Sequence, residues 1–292
     1  MVIMDRFVFI TDLHITATCN VRTGDVLDDI CKKLDYVVDY ANRRGFPIVI
    51  GGDVFDKPTV PDFVKAAVAR VFRKAKEPIY TISGNHDTLY NNDEFNVRTS
   101  YNLFCEMGLF EDFTGKSIDL GDCVLTNELP LRTRNRPTVC VYHGFWNIDD
   151  GKWCCKTGDV VGTDDETVVL LGHDHTVYAD EKPKDNVRVV RSGSLLRGIR
   201  IDEQNRIPRM AVVELRDGEW QVTYEDIRCR AASEIFTARQ FEMKATEVRD
   251  SYTDIIERLK TARTGEMTLD EALAQVTEQE VVDYINLCLG EQ

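Results

Sequence analysis

Apolar residues near the start of the chain fall into short unbroken runs, separated by stretches in which they recur at helical intervals. Residues 6–11 (RFVFIT), 47–50 (PIVI) and 78–82 (PIYTI) each read as a short buried strand. Between the first two, Val26, Ile30, Leu34, Val37 and Val38 share one stripe of residues 25–44, which predicts an amphipathic helix. A second helix is expected over 61–76. Strands alternating with helices predict a parallel-type sheet covered by helices.

The texture changes after about residue 115. Short runs at 138–142 (TVCVY), 167–171 (TVVLL) and 187–190 (VRVV) follow one another with loops between. Two further runs, 210–215 and 220–227, flank Asp217-Gly218, a strong hairpin signal. The pattern predicts a layered α/β sandwich with one sheet from each half of the chain. From about Ser233 it changes again. Residues 251–263 carry Tyr252, Ile255, Ile256 and Leu259 on one stripe. Thr268-x-x-Glu271 and Thr277-x-x-Glu280 are capping boxes, and Val281, Ile285, Cys288 and Leu289 form the stripe of the last helix. The chain therefore divides into a body over 1–230 and a helical segment over 231–292.

Composition narrows the class. With 292 residues, 43% of them hydrophobic, the chain can bury a sizeable core. No apolar run is long enough to span a membrane, and the start is not that of a secretory signal. Nine cysteines without a C-x-x-C pair read as small core residues, so a reducing, cytoplasmic compartment is expected. A formal charge of −14 excludes a protein that coats nucleic acid by charge alone. It does not exclude a nuclease, because carboxylates of a metal site count as negative in that sum.

Five motifs carry the chemistry. They are Asp12-Leu13-His14, Gly52-Asp53, Gly84-Asn85-His86-Asp87, His143-Gly144 and Gly172-His173-Asp174-His175. The first three directly follow the three early strands, and so stand at strand carboxyl ends, where α/β sheets gather ligand sites. Asp, Asn and neutral His together suit divalent ions such as manganese, iron or zinc. In D-x-H and H-x-H, alternate residues of an extended chain point the same way. Each motif alone has a bland reading as a turn or a core histidine. The chain has only five histidines, however, and all five fall inside the set.

In this order the motifs resemble those of the calcineurin-like metallophosphoesterase superfamily, over roughly residues 5–228. Gly51-Gly52-Asp53-Val54-Phe55-Asp56 and Ser83-Gly84-Asn85-His86-Asp87 are most similar to SbcD-type DNA-repair exonucleases. The resemblance implies a four-layered α/β/β/α metallophosphoesterase fold, with 1–230 as the catalytic domain and 231–292 as a reduced cap or partner-docking region. It implies two divalent ions, manganese first, with iron, zinc or magnesium as alternatives. Asp12, His14 and His175 would hold one ion, Asn85, His143 and His173 the other, and Asp53 would bridge them. His86 would stabilise the transition state and protonate the leaving oxygen, with Asp87 orienting its imidazole. A metal-bridging hydroxide would attack phosphorus in line with the leaving group.

The resemblance further implies DNA as substrate, and an SMC-like ATPase partner of the SbcC type docked through the C-terminal helices. It leaves room for a homodimer and gives no membrane role. Arginines at 132, 134 and 136, and again at 188, 191, 197 and 200, are candidate contacts to a nucleic-acid backbone, or partners of surface carboxylates. Arg191 and Arg197 are the expected phosphate ligands. Residues 233–292 carry 13 acidic against 6 basic residues, which argues against a DNA-binding arm. Two rival readings share the fold: a phosphodiesterase or phosphomonoesterase of small molecules such as nucleotide esters, and a non-catalytic scaffold.

Overall fold

The computed structural model describes residues 5–19, 22–89, 93–148, 153–198 and 206–236. Compactness separates two units, one spanning 1–19 and 24–232, the other 20–23 and 233–292. The helices expected between 251 and 292, and hence the C-terminal appendage, lie outside the described residues, as does Arg200.

Two six-stranded sheets form the first unit. In one, β1 (Arg6–Ile10), β2 (Ile48–Ile50), β3 (Ile79–Thr81) and β4 (Glu111–Asp112) run parallel. The hairpin of β13 (Arg209–Arg216) and β14 (Glu219–Asp226) closes its far side by pairing antiparallel to β1. In the other, β6 (Val124–Thr126), β7 (Thr138–His143), β10 (Thr167–Gly172) and β12 (Val187–Val190) run parallel between antiparallel edges β5 (Ser117–Asp119) and β11 (Glu181–Lys184). The expectation of one sheet from each half is corrected here. The late hairpin joins the first half's sheet, where it covers the edge that β1 would otherwise present to solvent.

Strand alternation assigns the layers. Phe7 and Phe9 of β1, Val139 and Val141 of β7, and Val168 and Leu170 of β10 face the space between the sheets, with Ala211, Val213 and Trp220. Val8 and Ile10 point the other way, against α1 (Val26–Arg44), α2 (Asp62–Phe72) and α3 (Ser100–Glu106). Cys140, Val169 and Leu171 point outward from the second sheet onto Leu131, Trp146, Cys155 and Val160. Strands buried on both faces need apolar residues at every position, which is why they read as unbroken runs. The fold is the expected mixed α/β sandwich. Its second outer layer is thin: the ribbon of β8 (Phe145–Trp146) and β9 (Cys154–Cys155) and the one-turn helix α4 (Thr157–Val160).

Helix α1 spans the stretch its stripe predicted. Asp25 caps it, accepting from the Asp28 N–H at 2.9 Å, and Gly45 ends it in the left-handed conformation. Helix α2 stops at Phe72, short of the expected 76. The eight described cysteines are thiols, not joined in disulfides. Among the described residues, no helix is long and apolar enough to cross a membrane.

Candidate metal centre

The loops after β1 and β2 stay laced together beyond the strands proper. The Asp12 N–H donates to Gly52 O at 3.1 Å, His14 N–H to Asp53 O at 3.0 Å and Ile15 N–H to Val54 O at 2.9 Å. Asp12, His14, Asp53 and His173 all adopt positive φ, at 52°, 41°, 48° and 83°. Non-glycine residues in that region cost on the order of 1–3 kcal/mol each and persist where surrounding structure over-determines them. The interloop hydrogen bonds supply that constraint for Asp12, His14 and Asp53, and the His173 N–H is held by the Asp12 carboxylate, at 3.0 and 3.1 Å from its two oxygens.

Two groups of donor atoms result. Asp12, His14 and His175 bring ligand atoms within 4.8 Å of one another, and so do Asp53, His143 and His173. In the first, His14 Nε2 lies 2.9 Å from His175 Nε2, and the two stand 3.9 and 3.6 Å from Asp12 Oδ1. In the second, Asn85 Oδ1 lies 3.1 Å from His143 Nε2 and 2.9 Å from His173 Nδ1. Asp53 stands between the groups, with Oδ2 3.7 Å from His14 Nε2 and 3.3 Å from His143 Nε2.

The donor set fits divalent cations. His143 Nδ1 lies 2.8 Å from Gly51 O, a carbonyl that can only accept, so Nδ1 carries a proton. That fixes the ring so that Nε2 meets the oxygens of Asp53 and Asn85, as is usual for a metal-ligating histidine whose other nitrogen donates to a carbonyl. Burial alone would lower the pKa of His143. The charge and hydrogen bond of Asp53 outweigh burial and raise it to about 9, so the pocket favours positive charge at this point. Burial pushes His14 down to about 3, which keeps it a neutral ligand. Burial likewise raises Asp12, whereas the histidines, His143 foremost, outweigh burial at Asp53 and hold it below the usual carboxylate range.

Residues 5–198 match the family model described as calcineurin-like phosphoesterase. The chain belongs to the calcineurin-like phosphoesterase family. It is thus a metal-dependent hydrolase of phosphoesters, with candidate metal-ligand clusters in place. Solved structures similar to this phosphoesterase include TT1561 of Thermus thermophilus, at 12% identity and TM-score 0.47 over 77% of this chain and 100% of that one. Another is Vacuolar Protein Sorting 29 from Cryptosporidium parvum, at 14% identity and TM-score 0.34 over 77% of this chain and 98% of that one. No curated protein matches the chain.

Three expected roles are corrected by the geometry of the phosphoesterase. Asp87 does not touch the His86 imidazole. Its carboxylate is buried and accepts the backbone N–H groups of Val54, Phe55 and Gly84 at 3.0, 2.9 and 3.0 Å. The imidazole is held instead by the Asp56 carbonyl, 2.7 Å from His86 Nδ1, while the His86 N–H donates to Asp53 Oδ1 at 2.8 Å. Arg197 is not a phosphate ligand: it is buried and donates to the Arg230 carbonyl. Arg191 pairs with Glu181 and lies 4.0 Å over the Tyr178 ring, whose hydroxyl donates to Asp174 Oδ2 at 3.0 Å. Arg191 thereby braces the His173–His175 loop. Of the first arginine cluster, Arg134 pairs with Glu128 and Arg136 with Asp119.

Sequence reading missed Asp56, Phe145 and Trp153. Asp56 joins His14 and His86 in a third group of donor atoms, its Oδ1 3.7 Å from His14 Nδ1. The available signal was its place three residues after Asp53. The Phe145 ring meets His173 edge-on at 4.4 Å, and Trp153 lies 5.9 Å from His143 and 6.3 Å from His173.

Gly84 is where the second and third loops touch. A Cβ there would stand 2.1 Å from Asp53 Oδ1 and 2.3 Å from the Asp53 backbone nitrogen. Gly84→Ala is expected to push the Asp53 loop aside and lower metal retention and hydrolysis by about 100-fold, a size typical for disturbed surroundings of a metal ligand. Metal content after gel filtration checks this, and full retention would contradict it.

Proposed function

We propose that the chain is a two-metal phosphodiesterase that cleaves DNA, of the SbcD-like type. The observation that carries the two-metal reading is the position of Asp53, one carboxylate within reach of both donor groups. Asp12, His14, His175 and Asp53 would hold one ion, and Asn85, His143, His173 and Asp53 the other, with manganese the first candidate. Paired divalent ions, when bound, clamp a phosphate, offset its charge and make water a nucleophile at neutral pH.

The chain's own residues do the rest. His86 Nδ1 is committed as donor to the Asp56 carbonyl, which leaves Nε2 as the nitrogen that can pass a proton to the leaving oxygen. The His86 N–H on Asp53 ties this ring to the proposed bridging carboxylate.

DNA as substrate is supported by the likeness of the Asp53 and His86 motifs to those of SbcD-type exonucleases. Pairing with an SMC-like ATPase through the helices that the sequence predicts after residue 250 belongs to the same reading, as does a homodimer. A second reading, hydrolysis of small nucleotide esters, is favoured by one observation. Arg134, Arg136, Arg191 and Arg197, offered by the sequence as backbone contacts, are engaged within the protein.

End-labelled single-stranded and duplex DNA, with bis-p-nitrophenyl phosphate beside them, distinguishes the readings. Manganese-dependent cleavage of both DNA and ester, lost in EDTA, is expected. Ester hydrolysis with intact DNA would shift the assignment to the small-ester reading. Inertness toward all three substrates would overturn both.

A further inference from the structure

We propose that Trp153, with Phe145, is a base-stacking platform that makes the centre selective for phosphodiesters carrying a nucleobase. The inference deepens the phosphodiesterase reading and rests on it. Both rings are half-buried and stand at the His143–His173 side of the centre. The Trp153 plane lies within 24° of the His173 imidazole, so the indole extends the direction of a proposed ligand ring rather than crossing it.

The backbone is built to keep the indole there. Trp153 follows the proposed ligand His143 across a two-stranded ribbon, in which Phe145 pairs with Cys154 and the Phe145 N–H donates to Trp153 O at 2.8 Å. The intervening Gly144 permits this approach, since a Cβ there would meet the Trp153 backbone at 2.8 Å. Next to it, Trp146 is anchored by its Nε1–H to Glu181 Oε2 at 2.9 Å, which fixes the ribbon to the sheet edge.

The chemistry that such a rim recognises follows from what surrounds it. The arginines expected to grip the ester are engaged within the protein, and the chain carries a formal charge of −14. Affinity for the part of the substrate beyond the phosphate then comes from neutral surface. Aromatic side chains bind bases through their π faces with little regard to sequence, and each such contact is worth roughly five- to a hundredfold in affinity. A purely alkyl ester would gain no comparable stacking.

Two diesters with one leaving group provide the test: thymidine 5′-(p-nitrophenyl phosphate) and methyl p-nitrophenyl phosphate. The wild-type protein is expected to prefer the thymidine ester. Trp153→Leu should remove about tenfold of that preference through KM, leave the methyl ester unchanged, and be rescued by Trp153→Tyr. Parallel loss on both esters would mean that the indole merely shapes His173, and would overturn the inference. Fluorescence supplies a readout independent of turnover. The chain has three tryptophans, and Trp146 and Trp220 are buried, so quenching by thymidine 5′-monophosphate reports on Trp153. Quenching without hydrolysis would keep the platform and overturn the phosphodiesterase reading. Hydrolysis with neither quenching nor preference would do the reverse.

Discussion

Asp53→Asn is expected to reduce phosphoester hydrolysis by ~10³-fold or more, and to weaken retention of both metal ions together, without unfolding the protein. The joint loss follows from position. Asp53 Oδ2 is the oxygen within 4 Å of both His14 and His143, so neutralising it removes negative charge from both donor groups at once. Asparagine keeps the shape of the side chain and can still accept the His86 N–H through its carbonyl oxygen. The fold has little to lose by the change. Asp12, Asp53 and Asp87 are three buried carboxylates: burial foremost raises the pKa of Asp12 and Asp87, and the nearby charge of Asp53 adds to the rise at both. Removing the middle charge relieves that repulsion but also removes the carboxylate that favours a protonated His143, so the two effects oppose and the melting temperature in EDTA should change little. Metal content, kcat/KM on bis-p-nitrophenyl phosphate and thermal melts measure the three effects separately. Loss of one ion with the other retained would show that Asp53 serves a single group. His143→Ala is the natural comparison, because its Nε2 belongs to the second group alone.

Much of this centre was legible in the sequence because its chemistry is rare and its positions are local. Five histidines in 292 residues all fall inside the motifs, and the early ones follow strands whose unbroken apolar runs announce burial on both faces. The structure brings every proposed ligand into one of two adjoining groups. What escaped depends on pairings made far along the chain. The runs at 210–215 and 220–227 about Asp217-Gly218 predict a hairpin, but not that β13 would lie against β1 some 200 residues earlier. The guanidinium of Arg191 has its partner at Glu181 and that of Arg197 at Arg230. Neither choice is visible in a run of basic residues, since an arginine facing phosphate and one tying down a loop look alike in sequence. Two-residue strands such as β8 and β9 carry no period at all. They bring Trp153 beside the centre nonetheless.

His86→Ala and Asp87→Asn should separate where simple resemblance would make them alike. His86→Ala is expected to lower kcat by roughly 10²–10⁴-fold, the range for a lost general acid, with metal content intact. Its side chain is half-buried and its ring is held through the Asp56 carbonyl, a contact at the rim of the site, so little of the fold depends on it. Asp87→Asn should act on stability first. Oδ2 accepts from Val54 and Gly84, and Oδ1 from Phe55, so both oxygens of a fully buried carboxylate are acceptors for loop N–H groups. An amide offers one oxygen. Its NH2 must then face either the Phe55 donor or the other two, and each unsatisfied buried donor costs about 1–3 kcal/mol. The loops that carry Asp53 and Asn85 are the ones released. A fall in melting temperature together with poorer metal retention is therefore expected for Asp87→Asn, and neither for His86→Ala. If Asp87→Asn instead lost turnover alone, with stability and metal content unchanged, the carboxylate would be acting through the imidazole after all. The Asp56 carbonyl would then not be what positions His86 during turnover.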